Sequence, residues 1–177
     1  MTDAGIAALV SALRQKHGTL DPFRICRGEG ITVLYREDFR TLKGAFAALC
    51  GQPFVFINGT LSEAMQRMVC AHELGHALLH GGEEKAFFSD ADLTGGTSRR
   101  EREANTFAAE LLLEDREVLA LAREGTDAVR IAKRMEVHVD FVLLKAQAMN
   151  RRGCAFRLPR PVNSRFLGAA GDDAGAV

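Results

Sequence analysis

The chain has 177 residues, 47% of them hydrophobic, with 23 basic and 23 acidic side chains and no net formal charge. That length fits one domain with a core large enough to fold without a disulfide framework, and the composition excludes a disordered chain. Zero net charge excludes a protein that works mainly by coating nucleic acid.

Residues 3–17 predict a short amphipathic helix, with Ile6, Leu9, Val10 and Leu13 at helical spacing. Asp21-Pro22 can open a second helix through Cys26, with the proline near its first turn. Ile31 to Tyr35 reads as a strand, and Leu42 to Cys50 as a second, weakened by its alanines. Gly51-Gln52-Pro53 turns the chain into Phe54 to Ile57, the clearest strand. The second and third strands are hairpin-spaced and hence antiparallel. Thr60-Leu61-Ser62-Glu63 is a capping-box sequence opening a helix from Leu61 to about His80, where Gly81-Gly82 stop it. A polar loop over about 82–98 precedes another helix from Arg99 to about Leu113, whose inner face is Ala104, Phe107, Ala108 and Leu111.

Two or three short helices fill 115–150. Within them, 127–150 has a helix-turn-helix pattern. Its second helix begins Val139, Asp140, Phe141, Val142, Leu143, where a DNA reader would expose polar side chains. It therefore reads as a packing unit or a substrate-docking surface, and no sequence-specific nucleic-acid binding is expected. The expected organisation is one domain over 1–150 and a basic, flexible tail over 151–177.

The charge is uneven along the chain. Residues 81–128 carry 6 Lys/Arg against 12 Asp/Glu, and residues 129–166 carry 9 against 2. Such segments either solvate separately or attract each other across the fold, or leave the basic one for an acidic partner. Residues 1–18 show no signal-peptide pattern, and no stretch approaches the ~18 apolar residues of a spanning helix. Cys26, Cys50, Cys70 and Cys154 form no Cys-x-x-Cys pair and read as reduced, buried thiols, which points to the cytoplasm.

The capped helix contains His72-Glu73-Leu74-Gly75-His76, the His-Glu-x-x-His pattern. Residues four apart stand on one helix face, so both imidazoles can reach one cation, and neutral imidazole suits zinc. Glu73 points about 100° away. There a carboxylate can take a proton from a water whose pKa a metal has lowered to about 7. His80 continues the spacing, but the helix rises ~6 Å over four residues while a zinc–nitrogen bond is ~2 Å. It reads as a helix-end histidine instead. A third ligand has to come from elsewhere. Glu101, Glu103 and Glu110 lie on the next helix, and Asp90 and Asp92 in the loop before it. Periodicity alone does not choose between Glu103 and Glu110.

His72 to His80, followed by Glu103-Ala104-Asn105-Thr106-Phe107-Ala108-Ala109-Glu110-Leu111-Leu112, resembles the ImmA/IrrE family of metallo-endopeptidases. The segments Leu42 to Phe46 and Phe56 to Asn58 are similar to that family's hairpin, and the resemblance covers about residues 20–150. It implies an α+β fold: a minimal zincin-like domain with a small antiparallel sheet of about three strands packed on the His-Glu-x-x-His helix, and a helical C-terminal part. It also implies a Zn2+ endopeptidase in which Glu103 is the third ligand beside His72 and His76, with Glu73 as catalytic base. Thermolysin-type enzymes carry an aspartate four residues after the ligand glutamate; counted from Glu103, Phe107 stands there. The implied substrate is a cytoplasmic helix-turn-helix repressor of a phage, mobile element or stress regulon. The alternative is a metal-containing module that sequesters such a repressor without cutting it; such a binder has no need for Glu73. For the oxyanion, Tyr35 reads as a core or sheet-edge residue, His138 as a cap or surface residue and His17 as a helix-end surface histidine.

Overall fold

The computed structural model describes residues 1–81 and 99–158. Helices α1 (Asp3–His17) and α2 (Pro22–Gly28) come first, then strands β1 (Thr32–Arg36), β2 (Gly44–Leu49) and β3 (Gln52–Asn58). Helices α3 (Glu63–His80), α4 (Arg99–Leu112), α5 (Asp115–Arg123), α6 (Ala128–Arg134) and α7 (Val139–Arg151) follow. The expected polar loop over 82–98, with Asp90 and Asp92, and the chain beyond 158 lie outside the described residues. Among the described residues, no helix is long and apolar enough to cross a membrane.

The hairpin is antiparallel, with Leu49 opposite Gln52 across the two-residue loop Cys50–Gly51. Both loop residues have positive φ (51° and 75°), the backbone that a right-handed twist requires of a two-residue loop. The sheet is mixed rather than purely antiparallel, because β1 joins β3 in parallel and gives the order β1-β3-β2. A parallel neighbour needs a crossover, and the hairpin β2–β3 supplies it by returning the chain beside β1. Phe46, Val55 and Ile57 are buried with Met68, Val69, Cys70, Ala71 and Leu74 of α3 in one apolar core. Ser62 caps α3 by accepting from Met65 N. Thr60 instead bonds the Asn58 side chain, so the helix starts two residues later than expected.

The opposite charges of the two segments meet inside the fold. Lys145 of α7 is buried, with Nζ 2.6 Å from both Glu110 Oε2 and Asp115 Oδ1. Arg152 donates to Glu110 Oε1 at 2.7 Å and to Asp115 at 3.1 Å. This quartet ties α4, α5 and α7 together and occupies Glu110, removing it from the set of metal-ligand candidates. Removing Lys145 leaves Glu110 with Arg152 as its remaining cation, so Lys145→Met is expected to destabilise the fold in chemical denaturation by less than the roughly 3–5 kcal/mol of an uncompensated buried charge.

The second helix of the helix-turn-helix pattern is a packing element, with Phe141 and Val142 in the core. His138 caps it, its side chain accepting from Asp140 N, and the His138 N–H donates to Met68 Sδ at 3.1 Å, anchoring α7 on α3. Past α7 the chain is still held. Asn150 bonds the Phe156 backbone through both its oxygen and its nitrogen, and Phe156 packs on the core. Of the cysteines, Cys26 and Cys70 are buried with their sulfurs 3.8 Å apart. Cys50 is exposed in the hairpin turn, and Cys154 is partly buried, so neither is the fully buried thiol expected.

Candidate metal centre

Helix α3 is buried without interruption from Met68 to His76, because the sheet covers one side and α4 the other. His72 and His76 stand one turn apart, with their Nε2 atoms 3.0 Å from each other. Glu101 of α4 completes the group, its carboxylate oxygens 3.3 Å from His72 Nε2 and 3.1 Å from His76 Nε2. Donors bound tetrahedrally at the ~2.0–2.1 Å typical of zinc lie roughly 3.3 Å apart, so this spacing fits a single small cation. Burial pushes the Glu101 carboxyl up, but its polar contacts with the His72 and His76 rings outweigh it and hold the group well below the usual carboxylate range.

The third acid at the histidine pair is thus Glu101, not Glu103. The reason is helical phase. Two residues advance a helix by about 200°, so Glu101 and Glu103 flank the apolar face of α4 on opposite sides. Glu101 shares its flank with Asn105, one turn on, and that flank turns toward α3. Glu103 turns away from the His72–His76 pair, to the Met1 amino group and to Arg99 Nε at 2.9 Å. Burial pushes its carboxyl up, yet these two cations leave it below the usual range. His80, the last residue of α3, is buried rather than at the surface, 3.7 Å from Glu103 Oε2. Burial, and then the neighbouring His76, lower its imidazole pKa.

Asn105 has no role that the sequence pattern assigns. Its Oδ1 lies 2.8 Å from His72 Nδ1, and both side chains are buried. The i, i+4 spacing from Glu101 was the available signal. Counted from Glu103 it lands on Phe107, which is core; counted from Glu101 it lands on Asn105.

Two glycines let these elements close. A Cβ on Gly75 would come within 3.1 Å of both Ala104 Cα and Phe107 Cδ1, and 3.2 Å of the Ala104 carbonyl. The α3–α4 crossing that delivers Glu101 therefore depends on Gly75 and Ala104 both being small. We expect Gly75→Val to push α4 away, destabilise the fold by about 1–3 kcal/mol and weaken zinc binding, read by denaturation and chelator competition. A Cβ on Gly44, at the start of β2, would come 2.3 Å from Val69 Cγ1 and 3.3 Å from Glu73 Cγ. Glu73 is buried under that strand.

The remaining candidates lie elsewhere. Tyr35 is exposed on the outer strand, stacked on Phe23 with ring centroids 6.5 Å apart. His17 bonds Glu29 at 2.6 Å. Neither joins the His72, His76, Glu101 group.

Residues 26–147 match the peptidase family described as IrrE N-terminal-like domain (Peptidase_M78). The chain belongs to this family. The IrrE-like match spans β1 to most of α7 and contains every residue of the His-His-Glu group, so the metal centre sits in the shared part of a metallopeptidase fold. The chain is also 34% identical to an uncharacterized immunity region protein 2 of Bacillus phage phi105. That similarity runs over 110 residues, 62% of this chain and 69% of the relative.

Proposed function

We propose that the protein is a zinc-dependent endopeptidase that hydrolyses a peptide bond in a cytoplasmic regulatory protein, a helix-turn-helix repressor being the expected substrate. The observation that carries the reading is the convergence of His72, His76 and Glu101 within 3.3 Å of one another beside Glu73. Two neutral imidazoles and one carboxylate are a zinc donor set that leaves a coordination position open. Bound there, zinc supplies Lewis acidity toward the scissile carbonyl and a more acidic water.

The chain's own residues do the rest. Glu73, adjacent to His72 but out of phase with the ligands, takes the proton of the attacking water and returns it to the departing amine. Its burial under Gly44 restricts where the carboxylate can go. Among the described residues, strand β2 has β3 on one side only, and its start lies over Glu73. An extended substrate can add to its open edge through backbone hydrogen bonds, which brings the scissile bond alongside α3. The phage relative's name, which places it in an immunity region, supports a regulatory substrate.

The test is incubation of the zinc-loaded protein with the repressor encoded beside its gene. A discrete fragment that Glu73→Gln fails to produce is the expected result. Repressor release from its operator without any fragment would support sequestration instead.

A further inference from the structure

Resting on the metal-site reading above, we infer that Asn105 is a positioning residue for zinc, fixing the tautomer and ring orientation of His72. A neutral imidazole carries one N–H, and which nitrogen bears it decides which nitrogen can bind a cation. The Asn105 carboxamide oxygen, 2.8 Å from His72 Nδ1, accepts that N–H. Nε2 then keeps its lone pair, and Nε2 is the atom facing His76 Nε2 at 3.0 Å and Glu101 at 3.3 Å. In the opposite tautomer, Nε2–H would donate to Glu101 and close the centre to metal. Both partners are 1% exposed, so no bulk water can replace the amide oxygen as acceptor.

The placement is economical in sequence terms. Asn105 sits one turn after Glu101 on the same flank of α4, so one helix supplies a ligand for the cation and the orienting acceptor for another. The close crossing at Gly75 and Ala104 delivers both at once. An amide orients the ring without adding a second negative charge, so Glu101 remains the lone carboxylate of the group.

The experiment is zinc affinity by chelator competition at fixed pH for the full chain, Asn105→Asp and Asn105→Leu, with cobalt absorption spectra of each. Loss of an outer-shell acceptor typically weakens metal binding 10–100-fold. Asn105→Leu, of similar size and without an acceptor, should show a loss of about that magnitude and a changed cobalt ligand-field spectrum. Its metal-free form should still fold, with a melting curve lowered by the unpaired His72 N–H. Asn105→Asp, which keeps an oxygen at the same place, should bind as tightly as the parent or more so. If the Leu variant fails to fold, Asn105→Ala is compared with Asn105→Asp in the same way. Affinity of the Leu or Ala variant within about threefold of the parent, or equal losses in it and the Asp variant, overturns the role. A parent chain that binds no zinc contradicts the metal-site reading itself. The two failures are thus distinguishable.

Discussion

Glu73→Gln is expected to bind zinc as the parent does and to cleave its protein substrate roughly 10²–10⁴-fold more slowly. The side chains are nearly the same size, so the packing of Glu73 beneath Gly44 and Val69 is kept. Glu73 is not one of the three donors, so the zinc content is kept as well. What is lost is the basic carboxylate oxygen, and with it the acceptor for the water's proton. Fragment yield against time on a gel, with zinc content measured on the same samples, separates the two properties. Cleavage by Glu73→Gln at the parent's rate would remove Glu73 from the chemistry. Loss of zinc from this variant would mean the carboxylate acts on the metal centre rather than on the substrate.

The second large effect divides two acids only two residues apart. Glu101→Ala removes one of three donors and leaves two imidazoles facing each other, so most of the bound zinc should be lost. Glu103→Ala removes contacts to Met1 and to Arg99, whose side chain is 82% exposed, and the long 3.7 Å approach of His80. Such partly solvated pairs contribute about 0–1 kcal/mol, so this variant should keep its zinc and melt close to the parent. The comparison is internally controlled, since the two substitutions are chemically identical and lie on one helix. The opposite pattern would place Glu103 at the metal.

Much of this architecture is legible in the residues because it rests on local rules. The hairpin follows from strand-forming runs on either side of Gly51, although the turn is Cys50–Gly51 and Gln52 and Pro53 belong to β3 rather than to the turn; α3 follows from a polar cap and a glycine stop, although Ser62 rather than Thr60 is the cap. The pairing of His72 with His76 follows from helix geometry alone. The parallel docking of β1 on β3 is not local: it depends on the hairpin folding back beside an earlier strand, and no residue pattern marks it. The choice among Glu101, Glu103 and Glu110 is likewise set by which flank of α4 faces which neighbour. All three acids border the same apolar face. Only the packing of α4 against α3, and of Glu110 against Lys145, separates ligand from ion pair. The opposite charges of the two segments, which left two readings open, are in part spent on that buried quartet, so Lys145 and Arg152 are committed within the fold. Asn105 was hidden for a related reason. Its partner is on another helix, and its spacing has meaning only once the ligand is known to be Glu101.

The most direct test of the account is a crystal structure of the zinc-loaded chain with an anomalous difference map recorded at the zinc edge. The account predicts one peak at bonding distance, about 2.0–2.2 Å, from His72 Nε2, His76 Nε2 and a Glu101 carboxylate oxygen, with Asn105 still accepting from His72 Nδ1. A peak liganded by Glu103 in place of Glu101, or no peak between the two histidines of fully loaded protein, would contradict it.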